Sequence, residues 1–272
     1  MATIFIAGVG SGGMSVLDLV ARDPLVTEII LIDPDFYAPH NVQRHYFPPV
    51  DVGMLKVELA RRWLQAMRPE LSIIAEPIDL LDSNHHDWLA DVSNRCDLGI
   101  CAVDREPAKF QFDFLMRTAH KPWTLGEVLA GGIAGWVHLF LPGSACYGCV
   151  CSYLKREIEL VQEPVPNYSQ QESTLPATSI PASRAAISTM GSLHAHSSLQ
   201  LLHHQELPFS SLLFPLQVVP EIFTIPYQAL SYQFSPLPEC LFCSGSSAAP
   251  DAENQTMDQL LTSRLQQLGE NG

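Results

Sequence analysis

Two spacings in this 272-residue chain are the first that could do chemistry. Cys146-Tyr-Gly-Cys149 and Cys240-Leu-Phe-Cys243 are both Cys-x-x-Cys pairs. Four thiolates from two such knuckles enclose a tetrahedral zinc ion and leave no open position, which makes a structural site. It would clamp the C-terminal segment back onto the body of the chain. A redox pair usually opens a helix after a strand, whereas here Pro-Gly-Ser precedes Cys146 and Ser-Gly-Ser follows Cys243, as around zinc knuckles. Disulfides and free thiols are the competing readings. Cys151 reads as a bystander, and Cys96 and Cys101 read as core residues. The second spacing is Gly8-Val-Gly10-Ser-Gly12-Gly13, which fits G-x-G-x-x-G between an apolar run and a helical stretch. A loop of this kind turns tightly, lets phosphate approach the backbone and offers helix N–H groups to an anion. Asp33 lies 20 residues beyond Gly13, where a carboxylate can accept hydrogen bonds from both ribose hydroxyls. The alternative for Asp33 is a turn or capping aspartate before Pro34. These features leave NAD and ATP equally open.

The elements that must position these residues follow from apolar periodicity. Residues 3–7, 28–32, 71–75 and 98–103 are short apolar runs without alternation, separated by helical stretches at 15–21, 55–67 and 88–92. Runs of that kind form a parallel sheet covered on both faces, the doubly wound, Rossmann-like α/β class. Beyond residue 122 the pattern changes, and 134–141 and 216–219 read as strands of a mixed or antiparallel part. Residues 162–181 form a polar, Pro-rich loop, and 182–203 a long helix. The expected division is a nucleotide domain over 1–243, then a linker and a short amphipathic helix within 244–272.

Composition excludes several classes. A 47% apolar fraction rules out disorder for the bulk of the chain. Fifteen basic against 29 acidic residues leave a net charge of −14, unsuited to a nucleic-acid backbone. No apolar run approaches the roughly 18 residues of a membrane span, and no basic flank marks the start as a signal peptide. A cytoplasmic protein is expected. The ten histidines, at His85–His86, His194, His196 and His203–His204 among others, read as helix-face or surface residues and not as a site.

The stretch after the second strand separates ATP from NAD. Asp33-Pro-Asp35, then Asn41-Val-Gln-Arg44, then Gly53-Met-Leu-Lys56, a strand ending at Asp104, and the two cysteine pairs follow one another in order. That series resembles the adenylation domain of the ThiF/MoeB/HesA superfamily, relatives of the ubiquitin-activating enzymes, over residues 2–243. The resemblance implies Asp33 on the ribose, Asp35 beside it, Asn41, Arg44 and Lys56 on the phosphates, Asp104 on Mg²⁺, and ATP as the nucleotide. The chemistry agrees: adenylating a carboxylate needs positive charge on the triphosphate, here Arg44 and Lys56, and a carboxylate at a strand end for the metal, here Asp104.

The resemblance further implies a homodimer and a substrate with a C-terminal glycine, a ubiquitin-like β-grasp protein. A sulfur donor or a conjugating enzyme would then receive the acyl group. Departures from the pattern are specific. Residues 162–181 hold no cysteine, so Cys151 is the nearest candidate for a thioester. His45 follows Arg44 where the pattern has Gln, Arg105 stands for Asn, and Lys109 for Arg. The family's arginine-bearing N-terminal helix is not matched, which makes Arg22 or Arg105 its expected substitute. The rival expectations are a partner-binding scaffold without turnover and an NAD-dependent oxidoreductase.

Overall fold

The short apolar runs become the middle of one twisted sheet, in a computed structural model that describes residues 1–156 and 181–244. In chain order the strands are β1 (Ala2–Ala7), β2 (Val26–Ile32), β3 (Ser72–Glu76), β4 (Leu98–Cys101), β5 (Trp123–Val128), β6 (Ala134–Phe140), β7 (Ser211–Pro215) and β8 (Leu230–Tyr232). Their spatial order is β3-β2-β1-β4-β5-β6-β7-β8. Pairing is parallel from β3 to β5 and antiparallel from β5 to β8. The expected α/β class with a mixed C-terminal part is the one observed.

Strand alternation sorts the side chains of β1 into two cores. Ile4 and Ile6 pack with α1 (Ser11–Val20), α2 (Lys56–Met67) and α6 (Arg184–Leu202). Phe5 and Ala7 face α3 (His86–Arg95), α4 (Glu106–Thr118) and α5 (Tyr147–Tyr153) on the other side. Because both faces are covered, the central strands are apolar at successive positions. Each fully buried Ile or Leu contributes about 1.5–3 kcal/mol.

Three boundaries differ from the sequence expectation. α1 starts at Ser11, four residues before the expected Ser15, because Gly10 occupies its N-cap position and Gly12 and Gly13 form its first turn. Residues 216–219 are not a strand. The chain leaves the sheet after Pro215, and the N–H groups of Leu216 and Gln217 both turn to Ile133 O, at 2.8 and 3.1 Å. The strand in that region is Ser211–Pro215, one run earlier, where Leu212 and Leu213 are buried. The first cysteine pair opens a helix after all, since Cys146 is the N-cap of α5. Most of the expected 162–181 loop and the C-terminal helix within 244–272 fall outside the described residues.

Candidate active site

The carboxyl ends of β1, β2, β4 and β5 and the start of β6 meet at one cavity of about 730 Å³. In a doubly wound sheet this edge is where ligands bind, because the strand order reverses there and the helices diverge. Gly8 takes φ +89, and a side chain there would meet Ala102 O at 2.7 Å. A Cβ on Gly13 would fall onto Gly8 O. These two glycines let the loop fold onto β4. Gly10 and Gly12 differ, with nothing within 4 Å of either Cβ position. The N-terminus of α1 carries no side-chain cap, so its first N–H groups point towards that open space.

Asp33 is 6% exposed and its two oxygens are engaged from within: Val9 N–H donates at 2.8 Å and Asp35 N–H at 2.9 Å. Burial pushes its carboxyl above the usual range, with the Lys56 ammonium acting in the opposite direction. Each oxygen keeps a lone pair for a further donor at the cavity wall. Lys56 donates to Asp35 Oδ2 at 2.6 Å, which makes Asp35 the carboxylate that aims the ammonium. Asn41 accepts from Ala38 N–H at 2.9 Å through Oδ1 and so leaves its amide donor for the cavity. Arg44, half-buried, lines the cavity with no ion-pair partner among the described residues. Asp104, just past β4, is exposed, lines the same cavity and has none either.

His45 has a structural task that the motif did not disclose. Its Nε2 lies 3.1 Å from Val9 O, bracing the glycine loop, and its backbone carbonyl accepts from Arg184 Nη1 at 3.0 Å. Burial pulls its pKa down to about 4. Donation to Val9 O fixes the proton on Nε2, and the buried Nδ1 has no hydrogen-bond partner among the described residues. Of the two basic residues expected to replace an absent arginine, Arg22 pairs with Asp18 and is not among the cavity lining. Arg105 lines the cavity but is held by both oxygens of Asp79 at 2.7 Å.

Sequence reasoning missed the β5–β6 end of the cavity. Glu127, Arg156 and Tyr147 join Lys109 there in a buried polar cluster. No spacing joins residues 109, 127, 147 and 156; the fold alone brings them together. The histidines were expected on helix faces or surfaces; His194 does lie on α6, but it and His138 of β6 are buried in the β5–β6–α6 layer. His194 Nε2 lies 2.8 Å from Thr124 Oγ1, and burial lowers its pKa to about 3.

The four knuckle cysteines converge. Sulfur separations are 3.7 Å for Cys146–Cys149, 3.5 Å for Cys146–Cys240 and 3.5 Å for Cys149–Cys243, and all four lie within 4.8 Å of one another. A regular tetrahedron of Zn–S bonds near 2.3 Å has edges of about 3.8 Å, so the cluster has the size of a zinc cage. None of these thiols is in a disulfide. Leu237 N–H donates to Cys149 Sγ at 3.3 Å. Hydrogen bonding from its neighbouring thiols holds Cys240 well below the ordinary thiol range. Around the cage, Asp113 accepts from Tyr147 N–H and from Arg117, and Phe242 stacks on Phe110 at 4.4 Å. Phe242 also fills the space beside Gly148, where no side chain fits. Cys151 is 1% exposed, and burial raises its pKa to about 12.

A glycine cradle at the switch point, an ordered set of polar side chains along the same edge and a four-cysteine cluster define a doubly wound α/β protein with a candidate ligand cavity at the carboxyl ends of its strands. The ThiF family model matches residues 1–227, and the chain belongs to that family. Among curated relatives, ubiquitin-like modifier-activating enzyme 5 of Caenorhabditis elegans is 24% identical over 156 residues, 54% of this chain and 37% of its own length. The protein of the same name from Gallus gallus is 26% identical over 157 residues, 54% and 39% of the two chains. This chain therefore aligns with less than two-fifths of those relatives. Among solved structures, E. coli MccB with ATP superimposes with a TM-score of 0.64 at 20% identity, covering 89% of this chain and 66% of that one. The microcin C7 biosynthetic enzyme MccB in complex with N-formylated MccA gives 0.66 at 20% identity, covering 89% and 67%. At these identities the likeness is one of fold.

Proposed function

We propose that this chain is an ATP-dependent adenylyltransferase that activates the C-terminal carboxylate of a ubiquitin-like β-grasp protein. The observation that carries this reading is the set of polar groups left without partners along one edge. Arg44, the amide of Asn41, the uncapped α1 terminus and Asp104 all meet the cavity with valences that no partner among the described residues satisfies. Basic groups and helix N–H groups suit a triphosphate, and Asp104 suits its Mg²⁺. Asp33 would hold the ribose, and Asp35 would keep Lys56 aimed at the phosphates. The carboxylate attacks the α-phosphorus, pyrophosphate leaves, and an acyl-adenylate remains. Bound Mg²⁺ would supply charge neutralisation on the leaving pyrophosphate.

Cys151 is buried with a raised pKa, which speaks against a thioester at that position. The acyl group would therefore pass to an external acceptor, a sulfur donor or a conjugating enzyme. Zinc in the Cys146, Cys149, Cys240 and Cys243 cage would be structural. A homodimer completes the reading.

The reading is tested by calorimetric titration of the zinc-loaded protein with Mg-ATP, with NAD as the control titrant. Micromolar binding of ATP and none of NAD is the expected result. Binding of NAD in preference to ATP would replace the reading with an oxidoreductase, and binding of neither would leave a scaffold.

A further inference from the structure

The cavity has two ends, and only one is accounted for by a nucleotide. Its second end lies over β5 and β6, where Glu127 sits among cations. Arg156 donates to it through both arms of its guanidinium, Nη1 to Oε1 at 2.9 Å and Nη2 to Oε2 at 2.6 Å. Lys109 Nζ lies 2.7 Å from Oε1 and also donates to Glu106 at 2.6 Å. Tyr147 accepts from Arg156 at 3.0 Å and donates to Glu106 at 2.7 Å. A buried network of two carboxylates and two cations adds little net stability over apolar packing of the same volume. Its placement in the wall of a cavity therefore calls for another reason.

Of the two cations, exposure singles out one. The side chains of Lys109 and Glu127 are 7% and 11% exposed, whereas Arg156 is 20% exposed. Behind Glu127, the wholly buried His138 has Nδ1 at 2.7 Å from Ser211 Oγ. Its Nε2 is 3.3 Å from Glu127 Oε2, within ion-pair distance but without a well-aligned hydrogen bond among the described residues. Glu127 therefore has a further donor beside it whose contact can tighten. A guanidinium held in a bidentate fork on one carboxylate has the geometry to take another.

Building on the adenylation reading, we propose that Arg156, presented by Glu127, is the residue that binds the carboxylate end of the acyl substrate and fixes its approach to the nucleotide. The Arg156 fork passes from Glu127 to the substrate carboxylate and stays on the carbonyl oxygen that this group keeps once it is adenylated, and Glu127 keeps Lys109 and turns to His138. Arg156 is thus a specificity-determining residue, and Glu127 a positioning residue that acts through it.

The test needs no natural partner. Glycyl-sulfamoyl adenosine, an unreactive copy of an acyl-adenylate, and Mg-ATP are titrated separately into the zinc-loaded wild type and into Arg156→Ala, Arg156→Lys and Glu127→Gln. The expected result is a loss of about tenfold or more for the sulfamate with Arg156→Ala, with ATP affinity within about twofold of wild type. Arg156→Lys should recover part of the loss, and Glu127→Gln should lose less than Arg156→Ala. Retained ATP binding doubles as the control for folding. Sulfamate affinity unchanged in both Arg156 variants would overturn the proposal. So would an equal loss of both ligands at unchanged melting temperature, which would place Arg156 in the nucleotide site. A wild type that binds neither ligand would instead overturn the adenylation reading on which the proposal rests.

Discussion

The cysteine cage and the cavity edge are built by opposite rules. In the cage four like groups lie within 4.8 Å of one another, and the groups around them, from Asp113 to the stacked Phe242, are satisfied internally. Along the cavity, unlike groups arrive from the ends of β1, β2 and β4, and several of them end in space. A cluster that closes on itself stabilises the fold. A set of groups that the chain leaves open is free for a ligand. Lys56 stands between the two cases, since it is 9% exposed and held by Asp35, yet it borders the cavity.

The contrast is tested most severely at the cage. Cys240→Ser, or chelation of the metal from the wild type, should lower the melting temperature by about 6–12 °C. That corresponds to at least about 3 kcal/mol at 2–4 °C per kcal/mol for a chain of this size. Zinc should restore the chelated protein and not the variant, and metal analysis should find one ion per chain. Chelation without thermal effect would remove the distinction between the two regions.

The glycine loop carries both rules within six residues, so it separates stability from binding. Gly13→Ala puts a methyl onto the carbonyl of Gly8 and should cost about 1–3 kcal/mol or more, read by denaturant unfolding. Gly12→Ala meets nothing and should leave stability unchanged or raise it by up to about 1 kcal/mol, because alanine favours the helix. The same methyl occupies the space a phosphate would need, so Gly12→Ala should weaken ATP binding. A Gly12→Ala protein that binds ATP like the wild type would show that the open space is not the phosphate site.

At the open end, Asp104→Ala should leave the melting temperature unchanged, since an exposed carboxylate without an ion-pair partner among the described residues is lost. It should abolish the difference in ATP affinity measured with Mg²⁺ and with EDTA, about tenfold in the wild type. An undiminished Mg²⁺ effect would take Asp104 out of the metal role.

What the sequence disclosed follows the same line. Groups that must share one short stretch of chain were legible: the glycines, Asp33 at its strand end, and each cysteine pair, because local geometry forces the spacing. α4 and β5 were not. In α4, Phe110 and Phe112 alternate with Lys109, Gln111 and Asp113, and all five are buried, so the helix shows no apolar stripe. The apolar stretch at 216–219 reads as a strand, yet the chain has by then turned off the sheet at Pro215. The Glu127–Arg156 fork depends on contacts 29 residues apart and on the pairing of β5 with β6, which no motif encodes.

The smallest effect is expected where the two rules meet, at His45. The ring belongs to the protein's interior, yet it braces the loop that frames the open site. Its folded pKa of about 4 lies below the ordinary value of 6.5, because burial disfavours the charged ring. The unfolded chain therefore takes up a proton first as pH falls. The stabilisation is complete above pH 6.5 and is lost between 6.5 and about 4, adding up to about 1.4 kcal/mol per pH unit to the acid slope. His194, with a folded pKa of about 3, contributes in the same sense. His45→Gln keeps a donor for Val9 O and removes the titrating ring, so unfolding between pH 4 and 6.5 should become less steep. At pH 7 and above the variant should match the wild type in stability to within about 1 kcal/mol, the worth of one hydrogen bond. An unchanged acid slope would mean that the ring is protonated in the folded protein, and the loop would then be held by a charge and not by a neutral donor.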